Sequence, residues 1–408
     1  MGKKAFTRYT NDPDYRFLHE RVSDLFANQL RRDLKFLTSG QRSNISLAAK
    51  WCPSLDSSFD KATLLCEIIA RKVFPKELFP EYEGVEDAHY AYRVRDRLRK
   101  QVLVPLRRTL QLPEVYMGAG YWKYLPYNRV ASVAMNSYKE IFLKYDAKRF
   151  QQYLEDAKMG KTKLAAGAVL PHEIIRDSNG GDGGQVAELQ WKRMVDDLKE
   201  KGSLTNCMAI CDVSGSMSGD PMDVSVALGL LVSELSEEPW RGKLVTFREN
   251  PELHLVTGDD LRSKTEFVRN MQWDMNTDFQ KMIKRVFVFS DMEFDQASTS
   301  TSSSNRWGRT SPPSNGWETD YEVIVSKYIE KGYGEAVPEI VFWNLRHSRS
   351  TPVLGNKKGV ALVSGFSQNM IKMFLENDGE IKRIKIDPIT IMEAAISKDE
   401  YMSLVVVD

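Results

Sequence analysis

A chain of 408 residues with 42% hydrophobic and 28% charged residues has the composition of a soluble protein and the length of two or three domains. We expect no membrane span, since no apolar run approaches roughly 18 residues, and no secretory signal, since Met1 to Thr7 lack an apolar core. The four cysteines then favour a reducing compartment, cytoplasmic or nuclear, and the five scattered histidines assemble no zinc site.

The net charge of +1 conceals two oppositely charged halves. Residues 1–180 hold 31 Lys and Arg against 21 Asp and Glu, whereas residues 181–408 hold 26 against 35. This asymmetry predicts an N-terminal part suited to polyanions and a C-terminal part suited to cations.

Residues 12–175 are predicted to be helical. Apolar side chains at helical spacing indicate one amphipathic stripe, formed by Leu18, Val22, Leu25, Phe26, Leu30, Leu34 and Leu37. A long helix over 88–104 should end or kink at Pro105, because proline lacks an amide donor. Helices over 128–143 and 147–157 follow. Short helices in pairs are typical of a HEAT-like α-solenoid, although no clean sequence period is visible.

The glycine-rich segment 178–184 predicts a linker, and residues 187–199 predict a connecting helix. We therefore expect a helical domain over 1–178, a linker and connecting helix over 179–200, and a second domain over 201–408. A Ser/Thr-rich stretch at 297–316 has too little apolar content to pack well and predicts a mobile insertion in that domain.

The most informative motif is the run Asp212-Val213-Ser214-Gly215-Ser216, which follows five apolar residues that predict a buried strand. One carboxylate and two hydroxyls at i, i+2 and i+4 are hard oxygen donors. Such donors suit Mg²⁺, Mn²⁺ or Ca²⁺ rather than Zn²⁺. The alternative is an ordinary turn, in which the aspartate makes an Asx bond and a serine caps a helix.

The D-x-S-x-S pattern resembles the metal-ion-dependent adhesion site of von Willebrand factor A (vWA) domains. A helix over 221–235 and strands over 243–247, 253–256 and 285–290 follow in order, which favours a doubly wound α/β fold. The resemblance implies two further metal ligands, a loop threonine and an aspartate at a later strand end, which match Thr277 and Asp291. One departure is the connection after Thr277: only eight residues precede Val286, whereas a parallel crossover usually needs a dozen or more.

The helical part resembles the TROVE module of the Ro ribonucleoprotein family at residues 125–129 and 164–173, and that family also places a vWA domain after its helices. The whole chain resembles an uncharacterised family, common in plants, with a vWA-like C-terminal half. The Ro-like order implies a non-enzymatic protein that binds structured or misfolded non-coding RNA. Candidate RNA-binding cations lie in the densest basic run, namely Arg93, Arg95, Arg99, Lys100, Arg107 and Arg108.

Two hypotheses follow from different classes. The first is an RNA-binding protein with a divalent cation in its vWA-like domain. The second is a scaffold without RNA binding, in which the cation captures an Asp or Glu of a protein partner. Binding of RNA that ignores EDTA would favour the first, and protein binding that EDTA abolishes would favour the second.

Overall fold

The computed structural model describes residues 2–246, 253–271, 283–291, 320–346 and 359–375. Contacts divide the chain into two compact units, residues 1–130 and 131–408. No helix in the described ranges is both long enough and apolar enough to cross a membrane.

The first unit is helical and is built mainly from short helices. Their bounds are α1 Gly2–Asn11, α2 Pro13–Thr38, α3 Ala48–Trp51, α4 Ser58–Thr63, α5 Leu65–Val73, α6 Asp87–Arg97, α7 Val104–Thr109 and α8 Pro113–Gly118. Helix α2 begins where the carboxylate of Asp12 accepts the amide of Tyr15 at 3.0 Å, with Pro13 in the first turn. The core of this unit lies between α2, α5, α6 and α7 and centres on Leu30, Ile69, Val94 and Leu98.

The predicted apolar stripe of α2 is wrong over the first half of the helix. Leu18 and Leu25 are each 61% exposed, whereas His19, Ser23 and Ala27 are buried. The inward face is polar because local partners satisfy it: a ring nitrogen of His19 lies 2.8 Å from the carbonyl of Thr63, and the hydroxyl of Ser23 bonds the preceding turn. From Leu30 onward the predicted face does point into the core.

The chain stays helical through Pro105, so of the two outcomes expected there, an end or a kink of the helix, the end does not occur. Residues Leu98–Leu103 form a π-helical stretch between α6 and α7, and the backbone stays right-handed helical at Leu103 and Val104. A π-helical turn spaces its backbone hydrogen bonds one residue wider than an α-helix. This change comes just before Pro105, where a regular α-helix would need the amide donor that proline lacks.

The second unit contains a mixed sheet. Its strands are β1 Cys207–Cys211, β2 Lys243–Thr246, β3 Leu253–Leu255, β4 Arg285–Ser290, β5 Glu339–Asn344 and β6 Val360–Ser364. In the described residues they form one six-stranded sheet in the order β3-β2-β1-β4-β5-β6, with β3 alone antiparallel to its neighbour. Helices accompany the sheet, namely α9 Ser132–Lys158, α10 Pro171–Asp177, α11 Gln185–Lys199, α12 Asp220–Leu235, α13 Leu261–Arg269, α14 Asp320–Glu330 and α15 Lys372–Leu375. Helix α9 is interrupted at Asp146, whose φ of −148° is not helical, close to the predicted gap between two helices.

The predicted linker 178–184 is an ordered turn. Lys139 of α9 is buried, and its ammonium lies 2.5 Å from Asp177 and 2.9 Å from Asp182. The carboxylate of Asp182 also accepts the amide of Val186, at the start of α11. Two carboxylates are drawn to one buried ammonium, because a buried charge needs partners. Helices α9 to α11 thus belong to the compact unit that contains the sheet.

Helix α12 packs closely on β1. Gly229 makes this approach feasible, because a Cβ built on it would lie 2.1 Å from the sulfur of Cys211, the last residue of β1. Burial raises the pKa of the Cys211 thiol to about 12. Cys211 is thus a buried, unreactive packing residue immediately before Asp212.

Candidate metal site

The candidate site lies where the strand order reverses direction. From β1 the chain moves outward to β2 and β3, and later returns to the other side of β1 as β4, β5 and β6. In open α/β sheets, ligands bind in the crevice beside the carboxyl ends of the two strands at such a switch point. Asp212 follows β1 and Asp291 follows β4, so both predicted carboxylates flank this crevice.

Hydrogen bonds hold Asp212 in place. Its side chain is almost fully buried, one carboxylate oxygen accepts the amide of Ser214 at 3.0 Å, and the other accepts the hydroxyl of Ser290 at 2.9 Å. The amide of Asp212 donates to the carbonyl of Phe289 on β4. The strand-end loop is therefore tied directly to the neighbouring strand. Sequence reasoning missed the part played by Ser290, although it immediately precedes Asp291.

The two serines of the motif face each other in the loop after β1. The hydroxyl oxygens of Ser214 and Ser216 lie 3.0 Å apart, and both residues are exposed. Ser214 precedes a 3₁₀ turn but makes no side-chain capping bond to it, and Gly219 rather than a serine stands before α12. The Asx bond of the ordinary-turn alternative is present, while its serine cap is not.

This donor set fits one hard cation. The hydroxyls of Ser214 and Ser216 are hydrogen-bonded to each other, and their 3.0 Å separation is also compatible with adjacent ligands of an octahedral Mg²⁺, which stand about 2.8–3.0 Å apart. Among the described residues, no three His, Cys, Asp or Glu side chains are gathered in one place. A site here must therefore combine hydroxyls with Asp212 and Asp291. Thr277, the remaining predicted ligand, lies outside the described residues.

Arginines set the charge around the crevice. Asp291 is 2% exposed, and the guanidinium of Arg346, just after β5, lies 4.0 Å from its carboxylate. At the start of α12, Asp220 and Asp223 are both paired with Arg176, and Asp223 is also 2.5 Å from Arg269. Sequence reasoning missed Arg346, since nothing in its neighbourhood suggests that it returns to Asp291. The carboxylates at the α12 terminus are thus committed to ion pairs, and in the crevice Asp291 has Arg346 as a neighbouring cation.

The predicted RNA-binding cations divide into two groups. Arg95 pairs with Asp56 at 2.8 Å, and Arg107 donates to the carbonyls of Ala49 and Cys52 at 2.8 and 2.7 Å. Arg93 similarly donates to a carbonyl and lies over the ring of Tyr82. Arg95 and Arg107 thus serve contacts within the helical unit, whereas Arg93 makes its contacts at the surface.

The other cations face solvent. Arg99 and Lys100 share Asp96 as a surface partner, at 3.1 and 2.8 Å, and Arg108 is exposed. Exposed ion pairs of this kind contribute little and exchange readily for other anions. The π-helical stretch and α7 therefore carry solvent-exposed cations that are close in sequence to arginines with contacts inside the helical unit.

Taken together, the chain has a helical N-terminal region followed by a doubly wound mixed sheet with an oxygen-lined crevice at its switch point. It belongs to the DUF2828 family, a domain of unknown function that matches residues 1–204. A second domain of unknown function, DUF7788, matches residues 206–282 and 280–402. The two DUF7788 segments meet inside the short connection between Thr277 and Val286, where the sequence lacks a full crossover. These matches meet near residue 205, whereas the compact units divide at 130.

The relatives leave the activity open. Uncharacterized protein L728 of Acanthamoeba polyphaga mimivirus is 30% identical over an alignment of 388 residues, and the match covers 86% of this chain and 62% of the viral protein. The chain thus spans less than two thirds of that relative. The Ro (RSR) protein of Deinococcus radiodurans is a solved structure with 14% identity and a TM-score of 0.35, over 80% of this chain and 64% of its own. A likeness at that TM-score does not define the fold. The expected resemblance to a plant family finds no support in these matches.

Proposed function

We propose that this is a non-enzymatic binding protein whose vWA-like sheet unit holds one divalent cation, Mg²⁺, Mn²⁺ or Ca²⁺. The observation that carries the proposal is the pair of serine hydroxyls 3.0 Å apart beside two buried carboxylates at the switch point. Ser214, Ser216, Asp212 and Asp291 would hold the ion, and Thr277 is proposed as a further ligand. When bound, the ion supplies a coordination position for a carboxylate of a protein partner.

Calorimetry with Mg²⁺ and Mn²⁺ on the full chain tests this site. Ser216→Ala should abolish measurable binding, because it removes one of the two adjacent hydroxyls. Ser218→Ala is the matched control, since Ser218 is an exposed serine in the same loop but outside the motif. Asp212→Asn keeps an oxygen acceptor for the amide of Ser214, its NH2 group can donate to the hydroxyl of Ser290, and it should also lose the ion. Equal binding by the wild type and Ser216→Ala would refute the assignment.

We also propose that the helical unit binds RNA, as the Ro-like order of domains implies. Support comes from its 23 Lys and Arg against 15 Asp and Glu, counted over residues 1–130, and from the exposed Arg99, Lys100 and Arg108. Phosphate contacts of this type release counterions, so the affinity should fall steeply as salt rises and should not respond to EDTA.

A charge-matched pair of variants tests the RNA proposal. Replacing Arg99, Lys100 and Arg108 together by alanine should weaken RNA binding and flatten its salt dependence. The control replaces three exposed lysines of the other unit, Lys192, Lys199 and Lys201, which makes the same change of net charge. Equal losses in both triple variants would show that net charge alone is responsible and would contradict a specific RNA surface.

A further inference from the structure

An exposed tryptophan stands at the end of α3. Trp51 is 67% exposed, although tryptophan is mostly buried in folded proteins. The ammonium of Lys50 lies 5.1 Å from the centre of its ring. The ring is therefore open to solvent, and the half-buried Lys50 places its ammonium over the ring.

The position of Trp51 is fixed by an arginine that is not itself free to bind a ligand. The guanidinium of Arg107 donates to the carbonyls of Ala49 and Cys52, which lie on either side of Trp51, and to the hydroxyl of Ser54 at 2.8 Å. Three bonds from one planar group hold this segment against α7. Arg107 is thus a positioning residue for the tryptophan.

Helix α7, which Arg107 ties to this segment, carries a further exposed cation. Arg108 follows Arg107 directly and is exposed, as is Val104 one turn earlier. The π-helical turn before α7 adds Arg99 and Lys100, whose side chains are 55% and 63% exposed. A symmetric dimer through this surface is a poor occupant, because like charges would face each other.

We propose that Trp51 stacks against an unpaired base of single-stranded RNA, while Lys50 and Arg108 contact the adjoining phosphates. Aromatic side chains bind bases of any sequence by stacking, and neighbouring cations follow the backbone. Paired bases in a duplex do not offer a free face to such a platform. This inference rests on the RNA binding proposed above and assigns the class of RNA and the residue that contacts the base.

The test measures the affinity of the full chain for a labelled oligouridine of about 12 nucleotides, by fluorescence anisotropy at low salt. Trp51→Ala should weaken binding about tenfold, and Trp51→Phe, which keeps an aromatic face, should retain most of the affinity. Phe59→Ala is the matched control, since Phe59 is an aromatic residue 74% exposed in the same unit, and it should change nothing. Heparin, a polyanion without bases, should bind wild type and Trp51→Ala equally.

Each contrary outcome has a distinct meaning. If the wild type binds the oligonucleotide and Trp51→Ala binds it equally well, the stacking inference is wrong and the RNA proposal stands. If Trp51→Ala loses heparin and oligonucleotide to the same extent, the tryptophan supports the fold rather than a base. Tighter binding of a duplex than of the single strand would also overturn the inference. If the wild type binds no RNA at low salt, both proposals fail, and an acidic protein surface becomes the occupant to seek.

Discussion

Gly229→Ala should destabilise the sheet unit, because no space exists for a methyl group between α12 and β1. The added carbon would lie 2.1 Å from the sulfur of Cys211, which is fully buried and cannot rotate into solvent. Overpacking of this kind typically costs about 1–3 kcal/mol. Alanine in place of a helical glycine returns about 0.5–1 kcal/mol, so we expect a net loss of about 1–2 kcal/mol.

Urea unfolding followed by tryptophan fluorescence can measure this loss, because the sheet unit buries Trp191, Trp240 and Trp343. The matched control is Cys211→Ala, which removes the clashing sulfur. If the clash is the cause, Gly229→Ala should be much less harmful in the Cys211→Ala background, with a coupling of about 1 kcal/mol. Additive effects, or a stabilised single variant, would refute the close-approach explanation.

Three further outcomes are expected. Arg346→Gln should tighten cation binding about two- to fivefold by removing a half-exposed positive charge 4.0 Å from Asp291; calorimetry showing weaker binding would contradict this. Burial lowers the pKa of His172, so the unfolded chain takes up a proton first as the pH falls through about 6.5. The stabilisation that comes from burying this ring in its neutral form is therefore present above that pH and is lost as the pH falls below it. In His172→Phe, the midpoint of urea unfolding should no longer show this part of the pH dependence. Arg107→Gln should lower the stability of the helical unit by about 2–4 kcal/mol, because it breaks three hydrogen bonds, whereas Arg108→Gln should have almost no effect on thermal unfolding.

The sheet was the most predictable part of the fold. The bounds of β1 and β4 match the predicted strands, and β2 and β3 begin at the predicted residues. Strands buried on both faces consist of short continuous apolar runs, which can be recognised without knowing their neighbours. The sequence also predicts Asp212 and Asp291 at strand ends of a doubly wound sheet, and they follow β1 and β4, which pair in parallel.

The faces of helices and the roles of arginines were less predictable, because both depend on partners far away in sequence. The polar face of α2 turns inward only because Thr63 supplies a carbonyl for His19. Arg95 and Arg107 resemble their exposed neighbours in sequence, yet residues about 40 and 55 positions earlier bind them. Local periodicity contains no information about such contacts. Thr277 and the predicted insertion at 297–316 lie outside the described residues and stay predictions.

Anomalous diffraction from crystals grown with Mn²⁺ would locate the proposed ion directly. The cation site predicts one peak in the crevice between β1 and β4, about 2.1 Å from the hydroxyl oxygens of Ser214 and Ser216 and next to Asp212 and Asp291. The same crystals of Ser216→Ala should show no peak there, while those of Ser218→Ala should keep it. A wild-type crevice without a peak at saturating Mn²⁺, or a peak that persists in Ser216→Ala, would contradict a cation site built from this motif.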